Sequence, residues 1–198
     1  YKTHTDFLKA GIILQEAHIP FEVLFVGDGE LIDLMPTVKE LKKYSMVIAP
    51  QSLLPAHVGR PNGQAGMIQD EANCLLDRYR LSGGIVLSLE ELLKGEFIKQ
   101  IMGTGFKPGI ETSASENIGI MLYQRDSSLI VHLINYNYNP AVREFTPESG
   151  FQITLTVPDT LSLKGQRLRL LSPEGEDKEL EYKLHRGRIS FTVPSLYH

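Results

Sequence analysis

The chain has 198 residues, 42% of them hydrophobic and 22% charged, with a formal net charge of -4 and one cysteine. That length holds one large domain or two small ones, and the composition is that of an ordinary globular protein. The acidic balance argues against nucleic acid or an anionic membrane as partner, no apolar run approaches the ~20 residues of a membrane span, and a lone cysteine excludes an internal disulfide while leaving the compartment open.

The sequence opens Tyr1-Lys2-Thr3, without Met, and enters a helical pattern almost at once. It therefore reads as a segment of a longer protein, and the lack of a targeting segment says nothing about the parent. From Asp6 to about Phe97, helix and buried strand alternate. Phe7, Leu8, Gly11, Ile12, Leu14 and Gln15 fall at spacings of three and four, which predicts a helix ended by Ile19-Pro20. "FEVLFVGDGE" is a β-rich run closed by Gly27 and Gly29. Pro36 to Tyr44 reads as a short helical or turn segment, and "SMVIAP" as a second buried strand stopped by Pro50. Gln64 to Leu81 reads as the longest helix, with Ile68, Ala72, Leu75, Leu76 and Tyr79 on one face and Ser82-Gly83-Gly84 at its end. "IVLSL" follows as a third strand. Strands alternating with helices mean a parallel sheet with helices on its faces. The opening helix lacks the strand that normally feeds it, so that strand lies upstream of Tyr1 or the wound unit is incomplete.

From Glu116 the rhythm changes to short β-rich runs: "NIGIMLYQ", "SLIVHLINY", "FQITLTV", "QRLRLLS", "KELEYKL" and "RISFTVP". Ile153, Leu155 and Val157 alternate with Gln152, Thr154 and Thr156, and Ile189, Phe191 and Val193 repeat the pattern. Arg186-Gly187 and Pro173-Glu174-Gly175 are turn signals. Period-two strands of this length predict an antiparallel sandwich. "MGTGFKPGIETSAS" is the natural junction. The expected division is residues 1–101, a linker at 102–115, and 116–198.

Little of this sequence has the pattern of a reaction centre. Cys74 lies mid-helix rather than on the turn after a strand, where a helix N-terminus would lower its pKa. Ser52 follows a strand but lacks the flanking glycines of a nucleophile elbow. "GDGE" carries no complete phosphate-binding fingerprint, and Asp28 and Glu30 would repel phosphate. The histidines at 4, 18, 57, 132, 185 and 198 show no ligand spacing, and no metal or cofactor is expected. His132 reads as a core or sheet-face residue with a hydrogen-bond partner. Asp70-Glu71 and Glu90-Glu91 are adjacent and diverge, unlike the opposed carboxylates of a glycosidase. No catalytic residue is assigned. Position alone marks Gly27, Asp28, Pro50, Gln51 and Ser88 as a possible ligand site at the ends of the parallel strands. Carbohydrate is the other candidate ligand. Tyr136 and Tyr138 could stack on a sugar while Asn135, Asn137 and Asn139 bond its hydroxyls, although Asn139-Pro140 favours a strand passing into a turn.

Taken together, the two halves resemble a known arrangement. "LQEAHIPFEVLFVGD", "LKKYSMVIAP" and "SGGIVLSL", carried by Ile19-Pro20, Tyr44, Val47 to Pro50 and Ser82 to Val86, are similar to the trimerisation-type domain of beta-galactosidases. That domain is a flavodoxin-like unit related to class I glutamine amidotransferases. His132 to Tyr136, Leu155 to Pro158 and Phe191 to Leu196 resemble the small C-terminal β domain that follows it in such glycoside hydrolases. The resemblance implies an α/β flavodoxin-like parallel sheet followed by a β-sandwich. It also implies a non-catalytic region whose partner is an upstream catalytic barrel of the same chain, with a homo-oligomer as a further possibility. The alternatives are a carbohydrate-binding module and a free-standing amidotransferase-like or hydrolase-like enzyme.

Overall fold

The computed structural model describes residues 2–26, 35–50, 63–159, 161–163, 165–173 and 176–197, with side chains from residue 5 and, in the segment starting at 63, from residue 71. These residues fall into two units, one drawn from 1–13 and 21–107, the other from 14–20 and 108–198.

The first unit is built on α1 (Lys2–Glu16), α2 (Val38–Leu41), β1 (Met46–Ala49), α3 (Gly63–Leu81), β2 (Ile85–Ser88), α4 (Leu89–Lys94) and α5 (Phe97–Gly103). Local chemistry sets several of these limits. Thr37 caps α2, its hydroxyl accepting the Glu40 amide while the Glu40 carboxylate accepts the Thr37 amide at 2.7 Å. These bonds hold the Glu40 carboxyl below its ordinary pKa. α3 ends in a Schellman motif: Gly84 N–H bonds Tyr79 O, Gly83 N–H bonds Arg80 O, and Gly83 takes φ +91°. Ala72, Leu76 and Tyr79, at spacings of four and three, form its buried face. Leu76 and Tyr79 pack with Leu41 and Ala49 into a small core that Val47 and Val86 adjoin.

β1 and β2 pair in parallel, Met46 opposite Ile85 through Ala49 opposite Ser88. The first of the three expected β runs, "FEVLFV", forms no strand: residues 21–26 are non-helical and unpaired among the described residues. Phe21 is 50% and Phe25 73% exposed. A strand is stable only with a neighbour for its backbone groups, and these residues have none among the described residues. Among the described residues the first unit therefore has mixed α/β content with one small parallel pair, short of the flavodoxin-like sheet that the resemblance implies.

The second unit begins with the end of α1, which is another Schellman motif. Ile19 N–H bonds Leu14 O, His18 N–H bonds Gln15 O, and His18 stands at φ +53° where glycine is usual. Leu14 and Ile19, the hydrophobic pair of that motif, are both buried. The strands follow as β3 (Ile110–Thr112), β4 (Ile118–Arg125), β5 (Ser128–Asn135), β6 (Tyr138–Asn139), β7 (Glu144–Phe145), β8 (Glu148–Thr156), β9 (Leu168–Leu170), β10 (Lys178–Leu180), β11 (Tyr182–His185) and β12 (Arg188–Leu196). All their pairings are antiparallel, with a four-stranded sheet ordered β11-β12-β8-β3 and hairpins β4-β5, β6-β7 and β9-β10.

Period two decides the packing. Phe151, Ile153 and Leu155 of β8 and Ile189, Phe191 and Val193 of β12 turn inward and share one core with Ile118 and Ile120 of β4. Arg186 at φ +49° and Gly187 at φ +73° make the tight turn between β11 and β12. Two sequence expectations shift. β3 lies inside the segment read as a linker, where it adds an edge strand to β8, and "KELEYKL" divides at Glu181 into β10 and β11.

Candidate functional site

The richest cluster of polar and aromatic groups sits where β5 ends. Asn135 is 2% exposed. Its Nδ2 donates to Thr146 O at 2.9 Å and Tyr197 O at 3.2 Å, and its Oδ1 accepts the Asn137 amide at 2.9 Å. One side chain thus ties the end of β5 to the approach of β8 and the end of β12. Asn137 O accepts the Thr146 amide, and Asn139 Oδ1 accepts the Ala141 amide in a local turn. These contacts are the work of asparagine in turns, and they occupy both donor hydrogens of the Asn135 amide.

The tyrosines differ. Tyr136 is 48% exposed. Its ring lies against Gly119 of β4, where an added Cβ would come within 2.6 Å of it. Tyr138 is 46% exposed and contacts Phe145 at 5.0 Å between ring centroids, the planes tilted by 52°. The cross-strand pairing of β6 with β7 places those two rings side by side. Part of each tyrosine therefore stays open to solvent beside a packed partner.

At the ends of the parallel strands, Ser88 is buried and caps α4, its Oγ accepting the Glu91 amide at 3.3 Å and donating to the Glu90 carboxylate at 3.4 Å. Pro50 is half-buried, while Gly27, Asp28 and Gln51, like Ser52, lie outside the described residues. A shallow cavity of about 340 Å³ lined by Ser45, Ile85, Thr104, Gly105, Phe106 and Lys107 opens at the opposite end, where β1 and β2 begin. Wound sheets bind ligands where their strands finish.

Cys74 is exposed on α3. His132 is exposed and stacks obliquely on Tyr123 at 5.1 Å. No group of three or more His, Cys, Asp or Glu among the described residues is arranged to hold a metal, and no described helix is long and apolar enough to cross a membrane.

One cluster was not visible in the sequence. Glu148 accepts both the Ser115 amide, at 2.7 Å, and the Ser115 hydroxyl. His18 lies beside them, and Nε2 completes no hydrogen bond. Burial lowers the His18 pKa, and nearby Ile118 and Ser115 backbone groups and the Glu148 carboxylate oppose that shift. Serine, histidine and carboxylate together have the composition of a nucleophile and its base, but the wiring differs. The Ser115 hydroxyl donates its hydrogen bond to the carboxylate and not to the imidazole, so His18 is not placed as its base. The arrangement pins the loop ahead of β4. Its members are 97 and 33 positions apart, and no local motif joins them.

No family model and no curated protein matches the chain. A solved structure, alpha-L-fucosidase isoenzyme 2 from Paenibacillus thiaminolyticus, is similar over 66% of this chain at 18% identity and a TM-score of 0.36. The chain spans 18% of that protein's length.

Proposed function

We propose that this chain is a non-catalytic accessory region of a larger glycoside hydrolase, which packs against a catalytic barrel or supports oligomer assembly. In this reading the first unit is a flavodoxin-like domain and the second the small β domain that follows it. The resemblance of Ile19-Pro20, Val47 to Pro50, His132 to Tyr136 and Phe191 to Leu196 to beta-galactosidase C-terminal regions supports it. The observation that carries it furthest is how the polar candidates are employed. Ser88 caps a helix, Asn135 binds three backbone groups, and Glu148 holds Ser115, so each serves the fold. The test is deletion of this region from the parent enzyme. The barrel should lose thermal stability or its oligomeric state, while the turnover of molecules still folded stays the same. A parent unaffected in stability and assembly would remove the reading.

A carbohydrate-binding module is the second reading, favoured by the half-exposed rings of Tyr136 and Tyr138 next to Phe145. Aromatic rings present the broad apolar face on which a sugar can lie. Calorimetric titration with neutral oligosaccharides should then give saturable binding that Tyr138→Ala abolishes. Heats that match the buffer blank, or binding indifferent to that change, would remove this second reading.

A further inference from the structure

We propose that His18, Ser115 and Glu148 form an acid-released latch: when the His18 imidazole takes up a proton, it draws the Glu148 carboxylate away from Ser115 and frees residues 115–117 ahead of β4. This goes beyond the accessory role and stands without it, because it rests on hydrogen bonds within the second unit alone.

The cluster holds a conflict that a single proton brings out. Both Glu148 oxygens are engaged by Ser115, one by its amide at 2.7 Å and the other by its hydroxyl. His18 Nε2 is shut off from solvent and completes no hydrogen bond. A neutral ring can leave that nitrogen unprotonated, whereas a buried imidazolium N–H needs an acceptor. Glu148, at the start of β8, is the charged group whose field reaches the ring, and the other groups turned toward it are backbone groups of Ile118, Ser115 and Glu16. The Ser115 carbonyl already accepts the Ile118 amide at 3.0 Å. Glu16 and Glu116, the carboxylates nearest in sequence, are exposed. The Glu148 carboxylate is therefore the strongest acceptor at hand, and a bond between two ions outweighs one from a neutral hydroxyl.

Proton uptake sets the direction of the change. Burial lowers the His18 pKa from 6.5 while the ring keeps its present place. An arrangement that pairs it with Glu148 binds the proton more tightly, so that arrangement gains as pH falls below 6.5. The rest of the loop does not share the switch. Ser113 N–H bonds Gln152 O at 3.0 Å, Gln152 N–H bonds Ser113 Oγ at 2.9 Å, and Thr112 Oγ1 donates to Gln152 O at 2.7 Å, all between groups that do not titrate. Residues 115–117 are held by Glu148 at one end, and at the other Asn117 O accepts the Tyr136 amide at 2.8 Å. The latch thus governs the stretch of backbone that supports Tyr136, next to the polar and aromatic cluster at the end of β5.

The test follows amide exchange by NMR between pH 7.5 and 5.5, corrected for the intrinsic pH dependence of exchange. In the natural chain, protection of the Ser115 amide should fall by about tenfold, because pH 5.5 lies about one unit below the ordinary histidine value. The amides of Ser113 and of β8 should stay protected, which also shows that the chain remains folded. His18→Asn keeps the left-handed helix end and Glu148→Gln removes the anion, and each should leave the Ser115 amide with no response to pH. A pH-independent Ser115 amide in the natural chain overturns the proposal. So does a full response that persists in either variant, or a loss of protection that runs equally through Ser113 and β8, which marks global unfolding in place of local release.

Discussion

The two units solve the same problem of burying backbone and apolar surface with different success. In the second unit, β8 and β12 are nine-residue strands paired over nearly their whole length, and their inward residues meet β4 in one continuous core. In the first, a parallel pair of four-residue strands carries a small core of Leu41, Ala49, Leu76 and Tyr79, and a run of Phe, Val and Leu stays exposed beside it. Residues 148–156 and 188–196 are about as far apart in the chain as β1 and β2, so strand length and the number of paired neighbours, rather than locality, make the difference.

Core truncation gives the largest effect. Ile153→Ala, at a residue with 0% exposure, should destabilise the β unit by about 4 kcal/mol, and Leu76→Ala in the smaller core the α/β unit by about 2 kcal/mol. Urea denaturation followed separately in each unit checks this, and equal losses would break the contrast. Next comes Asn135→Ala, which leaves the Thr146 and Tyr197 carbonyls and the Asn137 amide without their partner. Loss of about 2–3 kcal/mol is expected in the β unit. A neutral outcome would mean that the amide is spare and could serve a ligand.

Gly84→Ala sharpens the first unit. A Cβ there would sit 2.3 Å from the Tyr79 ring, which is itself buried and donates its hydroxyl to Tyr44 O at 3.1 Å. The ring has no room to withdraw, so a loss of about 1–3 kcal/mol is expected. A smaller effect is the pH response of the second unit. Desolvation lowers the His18 pKa from 6.5, so near that pH the unfolded chain binds more protons than the folded one. The stability contribution is present above 6.5 and is lost as pH falls below it. Asn, the usual alternative to glycine at φ > 0, allows His18→Asn to keep the helix end while removing the titration. Thermal melts between pH 5.5 and 7.5 should show a steeper fall toward acid for the natural chain than for the variant.

How much of this was legible depended on how local the signal was. The period-two pattern of Ile153, Leu155 and Val157 and the Arg186-Gly187 turn needed only neighbours in sequence, as did the end of α3 at Gly83-Gly84. "FEVLFV" looked like a strand by the same rules, but strand formation needs a partner and composition carries no record of one. The left-handed end of α1 at His18 was hidden because histidine, not glycine, occupies it. For the candidate site, "NYNYNP" announced both a turn and a sugar platform. Its hydrogen bonds assign the first role to Asn135 and Asn139, whereas the exposed faces of Tyr136 and Tyr138 keep the second in play. The Ser115–Glu148 latch required tertiary structure to bring distant residues together.

As an accessory region of the proposed kind, the chain would support an enzyme and would not itself cleave a glycosidic bond. The most direct measurement is initial-rate hydrolysis of a panel of aryl glycosides, galactosides and fucosides included, by the purified 198-residue chain. Rates equal to the buffer background are expected for every substrate. Saturable turnover that follows the protein through purification and falls in Ser115→Ala or Cys74→Ala would contradict it.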